Sequence, residues 1–334
     1  MAGAGTGGVA VAQSAAPECV ALADPALRLA CYDRLHGRVE APSAVVPTSP
    51  ALAAPATAPP MPGRTPSRLG ERWELDGRRG PSFAPRAYRP VYLLPATWTD
   101  RVNLRPNSPS PEHGVPFDLN LRPVEAKYQL SLKAKFGEDL FGTRVTLWGG
   151  YTQSSRWQLY NGADSRPFRE TNYEPELMLV MPMQASVMGW NWRMASLSLT
   201  HQSNGRALPL SRSWNRVIAS AAFERDDWVV ELRPWVRLQE NPDSDDNPDI
   251  ADYVGRGEIV IGRYTDQHSF SLQLRHSLRG GGRSRGSAQL EWVFPLNGVL
   301  HGYLQVFGGY GESMVDYNLR QNKVGLGVTI AGWR

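Results

Sequence analysis

Apolar and polar residues alternate along most of the chain after about residue 85. The segments 228–238, 269–276 and 288–294 show this pattern, with aliphatic or aromatic residues at most of the alternate positions and mainly polar or charged residues between them. A period of two residues places the two kinds of side chain on opposite faces of a β-strand. About twelve such segments, each of about ten residues, lie between positions 90 and 333, which predicts an all-β domain.

The links between the predicted strands are of two kinds. Some are short and suit tight turns, at 224–227, 265–267 and 296–298. Others are longer, at 103–119, 240–251 and 279–287. Short turns on one rim and long loops on the other indicate an antiparallel transmembrane β-barrel of about 12 strands. A soluble β-sandwich also alternates, but the number of strands and the charged residues on the polar faces of central strands favour the barrel.

Aromatic residues and overall composition are consistent with a membrane barrel. Five tryptophans stand near predicted strand ends and are expected to form interfacial girdles, namely Trp98, Trp148, Trp190, Trp228 and Trp333. The hydrophobic fraction of 41% and the mean hydropathy of −0.39 are those of an ordinary soluble protein. A barrel with a polar lumen has such averages, whereas no segment approaches the roughly 20 apolar residues of a transmembrane helix.

The net charge of +4 and the pI near 9.1 raise the question of nucleic-acid binding. Arginine and lysine are scattered among acids and aromatic residues rather than gathered on one stripe, which argues against that function. We therefore expect no nucleic-acid partner.

The N-terminal part differs in composition from the barrel segment. Cys19 and Cys31 are the only cysteines, and a disulfide between them is expected, which implies export to an oxidising compartment. The first residues are rich in small side chains, as at the end of a secretory signal. Four regions are predicted: a signal-peptide remnant (1–16), a short helical element clipped by the cysteines (17–37), a Pro/Ala-rich linker (38–84) and the barrel domain (85–334).

Candidate chemistry lies in the segment 194–223. His201 and Ser203 continue the apolar register of one predicted strand, and Asn215 continues that of the next. A hairpin would place Asn215 beside His201 on the lipid-facing wall. Polar side chains on a face that contacts hydrocarbon are costly unless they bond to one another and serve a function.

These three residue types suit nucleophilic catalysis. A serine needs an adjacent base, and the base needs a third group that fixes its tautomer. Ser203 would be the nucleophile, His201 the base and Asn215 the orienting residue. The alternative is that they are bystanders at a wet strand end, as is expected of His276, whose neighbour two residues on is Leu278. The nucleophile-elbow pattern GRSRG at 282–286 is rejected, because it lies in a loop between strands and not between a strand and a helix.

The longer string HQSNGR…SRSWNR, at 201–206 and 211–216, resembles the signature of the outer-membrane phospholipase A family. The stretches RPFRETNYEPEL (166–177), DDNPDI (245–250) and YGESMVDYN (310–318) are similar to other signatures of that family. The resemblance spans roughly residues 85–334. It implies Ca²⁺-dependent hydrolysis of glycerophospholipid acyl esters, with phospholipase A1, A2 and lysophospholipase activities, by a homodimer in the bacterial outer membrane.

The resemblance also implies roles for residues around the triad. An oxyanion hole is expected at the backbone N–H near Gly205, assisted by a calcium-bound water. Calcium ligands are expected from the serines and carbonyls of this loop, from the acidic segment 240–252 and from the partner subunit, at positions Ser211, Arg206, Asp246 and Ser165. Gln153 is expected in the dimer interface. Leu208 stands where some relatives have aspartate, which argues against a second calcium site built on that carboxylate more than against the site at the dimer interface.

Two other functions remain open from the sequence. The chain could be a non-enzymatic porin or structural barrel, with His201 and Ser203 as interfacial bystanders. It could also be an outer-membrane enzyme that acts on another acylated substrate, such as lipopolysaccharide.

Overall fold

A computed structural model describes residues 17–35, 67–77, 79–297 and 300–331. The chain divides into two compact units, 1–59 and 60–334. In the first unit, helices α1 (Pro17–Val20) and α2 (Pro25–Leu35) are joined by the predicted Cys19–Cys31 disulfide. The predicted signal remnant and most of the predicted linker lie outside the described residues. None of the helices in the described ranges is long and apolar enough to cross a membrane.

Among the described residues, the second unit contains a sheet of thirteen strands, three 3₁₀ helices (Gly162–Asp164, Ile250–Asp252 and Gly281–Arg283) and one short α-helix. The helix is α3 (Arg68–Trp73). The strands are β1 (Arg86–Ala87), β2 (Val91–Thr99), β3 (Val124–Leu140), β4 (Val145–Trp157), β5 (Phe168–Val187), β6 (Trp190–Ser203), β7 (Ser213–Arg225), β8 (Trp228–Leu238), β9 (Gly257–Tyr264), β10 (Ser269–His276), β11 (Gly286–Pro295), β12 (His301–Gly309) and β13 (Gln321–Ala331).

The sheet closes on itself. Each strand from β2 to β13 pairs antiparallel with its neighbours in sequence, and β13 returns to pair with β2. The short β1 is added on β3. The predicted antiparallel barrel of about 12 strands is therefore confirmed. Closure leaves no long unpaired strand edge, as a membrane barrel requires.

The predicted alternation decides which side chains face outward. On β6, Leu197 and Leu199 are exposed on the outer wall, while Ser198 and Thr200 are buried inside the barrel. Large apolar side chains are exposed on the outer wall of many other strands, including Leu130, Leu177, Val236, Leu290 and Leu326. An outward apolar band around a polar interior is the arrangement of a transmembrane barrel.

The prediction of an interfacial girdle is wrong for Trp148. Its side chain is 0% exposed, because it lies on the inward face of β4 and packs edge-on against Trp73 at 5.6 Å between ring centroids. Trp98 and Trp228 are exposed, at 49% and 40%. Trp333 lies outside the described residues.

Helix α3 lies inside the barrel at the rim with the short turns. The sequence assigned this segment to the linker, but Leu69 and Trp73 join a buried cluster with inward-facing residues of β4 to β9. The backbone N–H of Leu69 donates to Glu224 at 2.6 Å, and Ser67 accepts from the third N–H after it as the N-cap. A six-residue helix has too few residues for a periodic signal, so only its contacts reveal it.

The rest of the interior is filled as well. The link between β12 and β13 is folded into the lumen, where Glu312 bonds to three cations at 2.9–3.0 Å, from Lys127, Arg156 and Lys323. The interior cavity between these groups and Glu174 has a volume of about 110 Å³. This is room for a few water molecules, each of which takes roughly 30 Å³.

Replacement of Trp73 by alanine should release α3 from the barrel. The change removes a buried indole and the nearest of three aromatic rings around Lys133, whose ammonium lies 3.1 Å from the Trp73 ring centroid. We expect the free energy that holds α3 to fall by about 3–5 kcal/mol. Tryptic cleavage of the folded protein near Arg72 should then accelerate. Trp98→Ala, which truncates an outward-facing tryptophan, should leave that rate unchanged, and equal protection of Trp73→Ala would contradict the prediction.

Candidate active site

His201 and Asn215 meet on the outer wall at the rim with the long loops. They are register partners on β6 and β7, and His201 Nδ1 lies 2.9 Å from Asn215 Oδ1. The period of two residues along each strand places both side chains outward. The predicted placement of Asn215 beside His201 is therefore observed.

The protonation of the His201 ring follows from its partner. The Asn215 amide nitrogen donates to Glu240 Oε1 at 2.9 Å, so the amide oxygen faces His201. An amide oxygen only accepts, so Nδ1 of His201 carries the proton and donates it. The lone pair of Nε2 is then free to accept a proton, as a general base requires.

Ser203 lies on the same outward face, two residues beyond His201 at the end of β6. Its Cα atom is therefore about 7 Å from that of His201. No hydrogen bond joins the two side chains among those of the described residues. Catalytic hydrogen bonds often form only in the complex with substrate, so the geometry remains compatible with a Ser–His pair.

A second histidine and serine lie close together at another part of the rim. His276 Nε2 is 3.1 Å from the Ser284 hydroxyl, which belongs to the rejected GRSRG pattern. His276 Nδ1 accepts the backbone N–H of Leu278, so Nε2 must carry the proton. This ring donates to its serine and cannot take the serine's proton. The pair is a natural control for His201 and Ser203.

The loop between β6 and β7 is organised by a buried asparagine. Asn204 Oδ1 accepts the backbone N–H groups of Arg206 and Arg212, and its amide donates to the Leu210 carbonyl. Gly205 has a φ of +59°, and a Cβ there would lie 3.1 Å from the ring of Tyr173. Glycine is therefore required where the chain turns directly after Ser203.

Oxygen atoms converge beside this loop. Asp246 accepts hydrogen bonds from Ser211 Oγ at 2.7 Å and Ser213 Oγ at 3.3 Å, and its other oxygen lies 3.0 Å from His113 Nε2. Hydroxyl, carbonyl and carboxylate oxygens are the donors that Ca²⁺ prefers. No group of three or more His, Cys, Asp or Glu with metal-binding spacing occurs in the described ranges, so the donor set would depend on hydroxyls and carbonyls. The predicted ligands Ser211 and Asp246 are thus adjacent.

The other predicted residues take separate positions. Arg206 is exposed in the loop after Gly205, and Leu208 is exposed nearby. Ser165 is exposed in the loop between β4 and β5, with a left-handed φ of 58°. Gln153 lies on the outer wall of β4 and accepts a hydrogen bond from the Tyr151 hydroxyl at 3.2 Å.

The wall between Gln153 and the serine is continuous. Gln153 is the register partner of Tyr173 on β5, and Tyr173 is the register partner of Ser203 on β6. One outward row of the barrel therefore connects the predicted interface residue with the predicted nucleophile.

Two residues at the site are not found by the sequence reasoning. Glu240 lies in the acidic segment 240–252, whose sequence is typical of a solvated loop. In the structure it continues the outward register of β8, two residues beyond Leu238. Burial raises the pKa of the Glu240 carboxyl, while the charge of Arg237 and the hydrogen bond from Asn215 oppose this rise and favour the ionised form. His113 comes from the loop after β2, where no residue periodicity predicts its position beside Asp246.

The chain is similar in sequence to phospholipases. The model of the phospholipase A1 family matches residues 69–330. A Neisseria meningitidis serogroup B protein with a provisional phospholipase A1 name is 37% identical over 93% of this chain and 89% of its own length. The Escherichia coli K12 phospholipase A1 is 39% identical over 63% of this chain and 71% of its own.

Solved structures are similar as well. Outer membrane phospholipase A from Escherichia coli superposes with a TM-score of 0.67 at 34% identity, over 78% of this chain and 96% of that one. A calcium-bound dimer of the Salmonella typhi outer membrane phospholipase superposes with a TM-score of 0.68 at 34% identity, over 77% and 96%.

Proposed function

The chain belongs to the phospholipase A1 family and is an outer-membrane β-barrel, and from this we propose that it hydrolyses either acyl ester of a glycerophospholipid, and the single acyl ester of a lysophospholipid, with a Ser203–His201–Asn215 triad. The observation that carries the proposal is the His201–Asn215 contact on the outward face beside Ser203. A lipid ester that lies in the membrane can reach this face without leaving the bilayer. This explains why polar groups stand where the barrel otherwise exposes apolar side chains.

In the first half of the reaction, the Ser203 hydroxyl oxygen attacks the ester carbonyl and His201 Nε2 takes its proton. The tetrahedral intermediate collapses, and the imidazolium returns the proton to the leaving glycerol oxygen. A lysophospholipid departs and the acyl chain remains esterified to Ser203. Asn215 holds the ring through Nδ1 throughout.

In the second half, a water molecule attacks the acyl-enzyme while His201 accepts its proton. The proton then passes to Ser203, and the fatty acid is released. Backbone N–H groups near Gly205, where the chain turns after the nucleophile, would receive the oxyanion in both halves.

Calcium fits the oxygen donors beside this loop. Ser211, the Arg206 carbonyl and Asp246 would hold the ion, together with Ser165 of a second copy of the chain. A bound Ca²⁺ would supply positive charge that favours the developing oxyanion. The solved Salmonella typhi relative is a dimer with bound calcium, which supports this assignment.

The proposed homodimer leads to a prediction at Gln153. Truncation to alanine removes an outward-facing amide that would bond across two barrels in a lipid environment, where such bonds contribute about 1–2 kcal/mol. We expect the dimer dissociation constant in detergent to rise about tenfold, with activity falling at low protein-to-micelle ratio and recovering at high ratio. Sedimentation and activity at graded ratios measure both.

Leu274→Ala is the control for this change, since it truncates an exposed side chain on β10, six strands away around the barrel. It should leave the ratio dependence unchanged. A fully active monomer in either protein would contradict the dimer part of the proposal.

The filled interior argues against the porin alternative. Ion pairs from Glu312 and helix α3 occupy parts of the lumen, and the cavity beside Glu312 has a volume of about 110 Å³. A diffusion pore needs a continuous aqueous channel.

The proposal is tested by a fluorophosphonate probe together with an assay on defined lipids in detergent. Ca²⁺-dependent release of fatty acid from phosphatidylethanolamine, with the probe attached to Ser203, is the expected result. Activity confined to lipid A would instead favour the lipopolysaccharide hydrolase. Absence of activity on both lipids, together with absence of labelling, would overturn the enzymatic assignment.

A further inference from the structure

The amide of Asn215 is bonded at both ends. Its oxygen accepts from His201 Nδ1 and its nitrogen donates to Glu240 Oε1, each at 2.9 Å. The two ends of an asparagine amide have nearly the same size and differ only in that one accepts and the other donates. Asn215 could therefore turn over about its last torsion angle with little change in packing.

Glu240 removes this freedom. An ionised carboxylate only accepts hydrogen bonds, so it favours the amide nitrogen and repels the amide oxygen. A turned Asn215 would place its oxygen against Glu240 and its NH₂ group against His201 Nδ1. The ring would then have to carry its proton on Nε2, where the base for Ser203 is needed. We infer that Glu240 is a positioning residue, which fixes the amide orientation of Asn215 and through it the tautomer of His201.

Glu240 is itself held in place. It follows β8, whose Leu238 is the register partner of Asn215, so the carboxylate reaches Asn215 from the neighbouring strand end. Its side chain is 18% exposed, and its second oxygen lies 4.0 Å from Arg237. That guanidinium is anchored by Asp245 at 2.6 Å and the Pro248 carbonyl at 2.9 Å.

This arrangement moves the negative charge one side chain away from the ring. A carboxylate directly beside His201 would stand on a face that contacts hydrocarbon, where an exposed charge is expensive. A neutral amide takes that place, and the carboxylate lies on the neighbouring strand end, at the start of the polar loop after β8. The charge–amide–imidazole chain still favours the imidazolium that forms when His201 takes the Ser203 proton, because hydrogen bonds in series polarise one another.

The inference rests on the proposed function of the triad and is tested first by Glu240→Gln. Glutamine has the same shape but can accept or donate, so it no longer selects one orientation of Asn215. We expect kcat on micellar phospholipid to fall about tenfold, with KM and thermal unfolding unchanged. Asp243→Asn makes the same chemical change at an exposed position of the same loop and should match the wild type. A purely space-filling role for Glu240 would leave Glu240→Gln fully active, and that result would overturn the inference.

The second test repeats the substitution in an Asn215→Ala background. Without the amide there is nothing for Glu240 to orient, so Glu240→Gln should have no further effect on kcat. An equal loss in both backgrounds would show that Glu240 acts independently of Asn215 and would also overturn the inference. Ser203→Ala in the same assay distinguishes a failure of the proposed triad from a failure of the Glu240 inference. If that variant is fully active, the triad itself is wrong, whereas an inactive Ser203→Ala with an unaffected Glu240→Gln rejects the inference alone.

Discussion

Replacement of Ser203 by alanine is expected to lower the hydrolysis of phospholipid by about 10⁴-fold, which makes it the most damaging single change in the chain. The proposed acyl-enzyme route passes through the Ser203 oxygen, and alanine offers no nucleophile in its place. The side chain is small and lies at the end of β6, so folding should be unaffected. Fatty-acid release in detergent, measured beside the unfolding temperature, separates the loss of chemistry from a loss of structure.

Ser284→Ala is the matched control. Ser284, unlike Ser203, lies within hydrogen-bonding distance of a histidine, but the His276 ring donates from Nε2 and cannot act as its base. Wild-type activity is expected for this variant. An active Ser203→Ala beside an inactive Ser284→Ala would transfer the nucleophile to the other pair and refute the assignment.

The contrast between these two pairs shows what the sequence predicts. Alternation places His201 on an outward face and, with a hairpin, brings Asn215 to its side, because side-chain direction in a strand depends only on the count of residues. The count of residues does not show which nitrogen of a histidine ring carries the proton. His276 and Ser284 come together through a loop turn, and only the bond from Leu278 to Nδ1 shows that this ring is in the wrong state.

The parts that sequence reasoning misses have a common cause. His113 reaches the site from a long loop, whose path follows hydrogen bonds such as the one to Asp246 and not any period. Glu240 keeps the outward register of β8, but no count of residues shows that its carboxylate bonds to Asn215. Trp148 was expected at an interface, but helix α3 offers it a buried partner inside the barrel. Regular strands are predicted well, and residues whose partners lie far along the chain are not.

Ion pairs inside the barrel stabilise the wall that carries the candidate site on its outer face. Ion pairs such as Arg216–Glu174 and Arg233–Glu176 join inward faces across the lumen behind β5, β7 and β8. We expect these ion pairs to stabilise the strands and keep His201 and Asn215 in register, while the two side chains stay accessible to lipid. Rigid elements position side chains more accurately than loops do, which suits the proposed triad on an outward-facing wall.

Removal of calcium is expected to cause the second-largest loss, about 10²- to 10³-fold in hydrolysis, the amount that one oxyanion-stabilising group contributes. Excess EDTA should abolish most activity, and Ca²⁺ should restore it. Mg²⁺ should not, because it demands a tight octahedral site, whereas the oxygens around Ser211 and Asp246 belong to loops that suit a larger, more tolerant ion. Activity titrated against free Ca²⁺ gives the half-activating concentration.

The substitution Asp246→Asn tests whether the Asp246 carboxylate contributes to calcium binding. Asp246 provides the one carboxylate in contact with Ser211 among the described residues, so its neutralisation should raise the half-activating Ca²⁺ concentration about tenfold while leaving the maximal rate within a few-fold. Asp243→Asn, in the same loop, should leave the titration unchanged. Because Leu208 provides no carboxylate, Asp246 carries this charge without help from the loop after Ser203, and an unchanged titration in Asp246→Asn would place the ion elsewhere. Full activity in excess EDTA would remove calcium from the mechanism altogether.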